Sequence, residues 1–234
     1  MLRKVRGMFL VLLAVLFLAT ATGGCGRSVS EDSRPPEHSQ AKPPPAEETQ
    51  EPSSVGELTG KKVLLVVASK DFRDEEFFVP RHIFEEKGAA VTVASSKKGT
   101  ATGMLGGTVT PDLIFSEVGV ADCDVVVIAG GAGSKEYLWD DKELRRIVRE
   151  AQNQGKVVAA ICLSPVVLAR AGCLKGKEAT VFPDPAAVRE LKAAGVKYVD
   201  RGVVTAGSIV TARDPESAEE FAQAVARLLS DRQG

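Results

Sequence analysis

Cys162 stands at the end of an apolar run, within AAICLSPVVLARAGCLKG (residues 159–176). Small apolar residues lead into it, a short polar turn follows, and a second apolar stretch stops at Gly172. A nucleophile between a strand end and a helix start sits on a tight turn, its side chain above the sheet. The helix N-terminus there offers free N–H groups and partial positive charge. Such surroundings should lower the thiol pKa and raise the thiolate fraction. The N–H of Leu163 is then one donor for an oxyanion. A second comes from the pair Gly130-Gly131, with Gly131 preferred, because glycines let backbone approach closely. Spacing alone leaves another reading equally open, in which Cys162 is a small buried hydrophobe.

An acidic segment falls at another strand end. KDFRDEE (70–76) follows the apolar run KVLLVVAS (62–69) and offers Glu75 and Glu76. Beside a thiolate, in a partly desolvated cleft, an acid should hold its proton above the usual pH. The plainer alternative is a solvated acid at a helix start, favoured by the dipole. His82 lies about one and a half turns beyond Glu76 and should face elsewhere. Cys123 and Cys173 read as packing. No Cys/His spacing calls for a metal. GGAG (130–133) lacks the full strand–GxGxxG–helix–acid arrangement, so dinucleotide binding is rejected and no cofactor is expected.

These residues need a scaffold. Buried β-branched runs at 62–69, 89–95, 124–131 and 156–162 alternate with helix-spaced segments near 75–87, 135–154, 165–172, 185–194 and 215–229. Shorter strands are expected within 106–115, 179–183 and 202–207. The alternation predicts a single α/β domain over residues 60–234, a doubly wound, mostly parallel sheet sandwiched by helices. Sites in such sheets lie at the carboxyl ends of strands. KDFRDEE, GGAG and Cys162 all fall at such ends.

The N-terminus reads differently. Arg3, Lys4 and Arg6 precede the apolar run MFLVLLAVLFLATA, then Thr22-Gly23-Gly24 and Cys25. This is the order of a secretory signal, and the run is short for a spanning helix of about 20 apolar residues. Small residues before Cys25 resemble a lipobox, although Thr22 stands where an aliphatic residue is usual. The expectation is a lipoprotein signal over 1–24, lipidation at Cys25, and export with anchoring at the periplasmic or extracytoplasmic face of a cell-envelope membrane. Residues 25–59 are rich in Pro, Glu, Ser and Gln and bury almost nothing, so a disordered tether is expected. His38 falls in it. The formal charge of −1 and 5% aromatic content give no footprint for nucleic acid.

Several segments together carry a resemblance covering about Lys61 to Leu229: DFRDEEFFVPRHIFEEKGAAVTVAS, VTPD, DVVVIAGGAGSKEYL, GKVVAAICLSPVVLARAGCLKGKEATVFP and GVVTA. The chain resembles the ThiJ/PfpI family, a DJ-one-like superfamily with the class I glutamine-amidotransferase-like, flavodoxin-like fold. The resemblance implies a reactive cysteine at Cys162 and a partner carboxyl four residues before a proline. That register selects Glu76, before Pro80, and holds Glu75 in reserve. It implies Glu136 as a possible acid across an oligomer interface, and a homo-oligomer of two or more copies. Many active members carry histidine and then glycine after the cysteine. Here those positions hold Leu163 and Ser164, the latter expected to cap a helix.

Two functions follow. The favoured one at this point is a membrane-tethered, redox-responsive or stress-related protein with an oxidisable Cys162, because Leu163 is apolar and crowds the mouth of the site. The alternative is a cysteine-dependent enzyme on small carbonyl compounds or their adducts, of glyoxalase or deglycase type. A PfpI-type peptidase is disfavoured, since amide cleavage needs a proton for a poor leaving group.

Overall fold

A computed structural model describes residues 56–232. The signal segment, Cys25, His38 and the tether up to residue 55 lie outside the described residues. Among the described residues no helix is long and apolar enough to cross a membrane. The fold begins one turn earlier than expected. Leu58 is fully buried, and its N–H donates to the Lys87 carbonyl at 2.7 Å. Residues 56–59 therefore belong to the domain rather than to a tether.

The central sheet contains β1 (Lys62–Val66), β3 (Ala90–Ser95), β6 (Leu113–Ile114), β7 (Val125–Ile128), β8 (Val157–Ile161), β11 (Val203–Ala206) and β12 (Ile209–Ala212). Its order is β11-β12-β8-β7-β1-β3-β6, and all pairings are parallel except β11 with β12. β7 and β8 are buried along their whole length, which is why they read as unbroken apolar runs. Two small sheets flank this one: β2 (Lys70–Phe72) with β4 (Ala101–Gly103) and β5 (Thr108–Val109), and β9 (Glu178–Ala179) with β10 (Lys197–Tyr198).

Helices α1 (Asp74–Glu86) and α6 (Ala218–Ser230) pack together in one layer, against β1, β3, β8 and β12. In the second layer, α3 (Lys142–Asn153), α4 (Pro165–Arg170) and α5 (Pro185–Ala193) pack in succession, with α3 and α4 against β8. The fold is thus the α/β, doubly wound, mostly parallel sandwich that the alternation predicts. The spacing of Leu144, Ile147, Val148 and Ala151 does place one face of α3 in the core.

Three further differences between the sequence reading and the structure bear on how the site is positioned. The helix expected over 135–154 is two helices, α2 (Gly133–Tyr137) and α3. The chain turns between them to bury Leu138 and Trp139, and the Asp141 carboxylate restarts the helix by accepting from the Leu144 N–H at 2.8 Å. Second, β12 was not expected. It forms a hairpin with β11 through Gly207, which takes a φ of +64°. Third, β2 turns KDF into a strand beside β4, so the acidic segment is fixed at both ends.

Candidate active site

β8, β7 and β1 are neighbours in the sheet, so their carboxyl ends bring three sequence-distant segments together. β8 ends at Ile161, and Cys162 follows with φ +61°. A non-glycine residue held there is strained and persists only where its surroundings fix it. They do so on both sides. The Cys162 N–H donates to the Ala212 carbonyl at 2.9 Å, and the Cys162 carbonyl accepts from Phe182 N–H at 2.9 Å. Pro165 then starts α4, where its fixed φ suits the first turn.

Ser164 does not cap α4 as expected. Its Oγ donates to the Ala129 carbonyl at 2.7 Å and lies 3.0 Å from Ser134 Oγ. Both serines are fully buried, so they pin the cysteine elbow to the end of β7 and to α2. Trp139 adds a third tie, its Nε1–H donating to the Leu163 carbonyl at 2.9 Å. Neither Trp139 nor this use of Ser164 carries a local signal in the sequence.

Glu76 is fully buried and faces Cys162, carboxyl to thiol. Its Oε2 accepts from the Gly130 N–H at 2.9 Å, while Oε1 has no nitrogen or oxygen partner. Burial pushes the Glu76 pKa up to about 8, so the side chain is mostly protonated at neutral pH. The contacts with Cys162 and Gly130 pull only partly the other way. Glu75 turns outward and forms a two-pronged pair with Arg73, at 2.8 and 2.9 Å. The register expectation of Glu76, with Glu75 in reserve, thus resolves to Glu76 as the acid beside the thiol.

The glycine pair divides its work. Gly130 serves the carboxyl; the N–H groups of Gly131 and Leu163 are directed at the Cys162 sulfur. Gly131 has φ +104°, and a Cβ there would collide with the backbone of Asp71, Phe72 and Arg73. The 70–76 and 130–133 segments therefore fit against each other only because glycine is present. The rings of Phe72 and Phe77, both fully buried, meet edge to face at 5.4 Å beneath this junction.

One expectation is overturned. The thiol pKa of Cys162 is raised, not lowered. Burial is the largest cause, and negative charge on Glu76 is the next. The Gly131 and Leu163 amides oppose the shift without reversing it. α4 is a short helix, and its dipole does not offset removal of the sulfur from water.

Above the pair lies a cavity of about 220 Å³, walled by Arg73, Met104, Leu163, Phe182 and Pro215. Leu163 does line the mouth, as its apolar character suggested. Arg73, Met104 and Phe182 were not anticipated. Arg73 sat in a segment already singled out for its acids and Phe182 in the ATVFP segment expected as a strand, whereas Met104 comes from a loop with no motif. His82 is exposed on α1, 3.2 Å from Glu86, and lines no part of this cavity. Glu136 is exposed on α2 and hydrogen-bonds the neighbouring Tyr137. Cys123 and Cys173 are buried free thiols away from the cavity.

The sequence pattern of the DJ-1/PfpI family matches residues 61–228. An uncharacterized protein of Methanocaldococcus jannaschii is 52% identical over 172 residues, 74% of this chain and 84% of its own. A protein of Pyrococcus furiosus named deglycase PfpI is 34% identical over 167 residues, 71% of this chain and 98% of its own. Among solved structures, a ThiJ/PfpI domain protein from Brachyspira murdochii superposes with a TM-score of 0.70 at 36% identity. It covers 74% of this chain and 99% of its own. With an acid–thiol pair at the strand ends and a match across the whole globular part, the chain belongs to the DJ-1/PfpI family.

Proposed function

We propose that the protein is a cysteine-dependent enzyme acting on small carbonyl compounds or their adducts, of glyoxalase or deglycase type. One observation carries this reading: the Cys162 thiol, on a strained elbow, faces a buried carboxyl that keeps its proton at neutral pH. Relatives named deglycases, such as that of Pyrococcus furiosus, support it. With both groups protonated, the Cys162 S–H adds across an aldehyde. The S–C bond forms, the C=O π bond opens, and the thiol proton reaches the oxygen through Glu76. The Gly131 and Leu163 amides are the donors to the developing oxyanion. With a 2-oxoaldehyde, the ionised fraction of Glu76 then takes the proton from the hemithioacetal carbon and returns it to the neighbouring carbon, while the hydroxyl proton passes to the second carbonyl oxygen, leaving a thioester. Water cleaves the resulting thioester to a 2-hydroxy acid and the free thiol. No histidine is required, because one carboxyl serves each transfer in turn.

The test is methylglyoxal consumption by the purified protein beside Cys162→Ser and Glu76→Gln. Turnover in the parent alone supports the enzyme. Equal rates in all three, or none in any, defeat it.

A redox-responsive role is the second reading, favoured by Leu163 in the place of a proton-carrying side chain. Peroxide would convert the thiol to a sulfenic acid and water, with Glu76 and the two amides holding the new oxygen. A mass gain at Cys162 at low peroxide, abolished in Glu76→Ala, tests it.

The N-terminal sequence supports an envelope lipoprotein anchored through Cys25. Acylation of the Cys25 peptide by mass spectrometry, and release from membranes in Cys25→Ser, test this. A homo-oligomer with Glu136 at its interface is the corresponding proposal for assembly, tested by sedimentation of Glu136→Ala.

A further inference from the structure

The cavity over Cys162 carries one positive charge. Arg73 is the only cationic side chain on its wall; the wall is otherwise apolar or backbone, apart from the protonated Glu76. The backbone of Arg73 is fixed, its N–H donating to the Gly130 carbonyl at 3.0 Å. Its guanidinium is half committed. Nε and Nη2 each give one hydrogen to Glu75. Among the described residues nothing accepts from Nη1. Glu75 does not line the cavity, whereas Arg73 does and interacts electrostatically with both Glu76 and Cys162. Both side chains are partly exposed, 30% and 38%, and a pair so exposed binds its partners weakly. A guanidinium with free N–H groups is suited to a second planar oxyanion.

We infer that Arg73 makes this site selective for carbonyl compounds that carry a carboxylate, binding the anion while Cys162 adds to the carbonyl carbon. The inference rests on the carbonyl chemistry proposed for Cys162 and names its substrate class. The addition itself is balanced: one S–C bond forms, the C=O π bond opens, and the thiol proton passes to oxygen. Glyoxylate is the smallest member of the class; it can add at Cys162 but has no second carbonyl to rearrange, so it reports binding and addition. Glyoxal is its uncharged counterpart.

The test reads charge at Cys162 without requiring turnover. The full-length protein is alkylated with iodoacetate, an anion, and with iodoacetamide, its neutral analogue. The two rates are followed at the Cys162 peptide by mass spectrometry. The iodoacetate-to-iodoacetamide ratio should fall about fivefold in Arg73→Gln and largely recover in Arg73→Lys. It should rise in Glu75→Gln, which frees the guanidinium. An unchanged ratio in Arg73→Gln overturns the inference. If Cys162 alkylates too slowly to follow, calorimetric titration with glyoxylate replaces it. Binding weakened about fivefold in Arg73→Gln, with glyoxal unaffected, supports the inference. Equal binding, or none in the parent, overturns it. A protein that shows the ratio change but turns over no carbonyl compound keeps its anion site and loses only the enzymatic reading.

Discussion

Glu76 and Cys162 face each other from separate elements, the first turn of α1 and the β8–α4 elbow, and burial raises the proton affinity of both. Burial keeps the carboxyl neutral near pH 7, and any charge it gains opposes the thiolate. The site is therefore built to hold two protons and to pass them on. It is not built to store a free thiolate.

The Glu76 shift has a consequence for stability. Its pKa rises from the ordinary 4.5 to about 8 on folding. Below 4.5 both folded and unfolded chains are protonated, and the shift costs nothing. Between the two values only the unfolded chain ionises, so stability falls as pH rises and levels off above about 8. The full loss is on the order of 5 kcal/mol. Urea midpoints from pH 4 to 9 should show this decline in the parent and a much flatter profile in Glu76→Gln. Parallel profiles would show that Glu76 does not retain its proton.

Cys162 should alkylate slowly for a cysteine at the floor of an open cavity. Iodoacetamide at pH 7 should modify it at least about tenfold more slowly than the same thiol in urea, with the rate still rising beyond pH 9. A plateau below pH 7 would mean a stabilised thiolate and would reverse the assignment of the proton.

Gly131→Ala places a Cβ against the backbone of Asp71 to Arg73 at φ +104°. The expected cost is about 3 kcal/mol in chemical denaturation, with loss of any Cys162-dependent turnover. Gly155→Ala is the control. Its φ is also positive but nothing lies near the new methyl, so it should cost only about 1 kcal/mol.

The buried Ser134–Ser164 contact should reveal itself as coupling. Ser164→Ala removes donation to Ala129 and leaves Ser134 with one partner fewer, at about 1–3 kcal/mol. The Ser134→Ala, Ser164→Ala double variant should cost less than the sum of the singles. Strict additivity would mean the two hydroxyls stabilise the elbow independently.

Leu163→His puts a proton carrier on the cavity wall next to the thiol. Methylglyoxal turnover should rise at least about tenfold if proton delivery limits the rate. The Trp139 tie to the residue-163 carbonyl should survive, because it uses backbone only. No change would place the slow step elsewhere.

Much of this was legible from residue order. Unbroken apolar runs at 63–66, 125–128 and 157–161 read as strands buried on both faces, and the α3 stripe follows from helical periodicity. Positions 162 and 130–131 were recognisable because strand-to-helix turns need small residues. β12 and the break at Leu138–Asp141 were not legible, since one depends on a hairpin partner and the other on where Trp139 finds a hydrogen-bond acceptor.

The sequence alone determined the main alternation of strands and helices and which residues stand at the strand ends, because those depend on local periodicity. The family register selected Glu76 with Glu75 in reserve, and the tertiary structure places Glu76 against the sulfur and turns Glu75 outward to Arg73. Only the tertiary structure decided that Gly130 serves the acid while Gly131 serves the thiol, and that Arg73 faces the cavity. It reversed the expected direction of the thiol pKa as well. Protonation is set by how much water remains around a group, and that depends on β1, β7 and β8 lying side by side and on the segments that close over their ends.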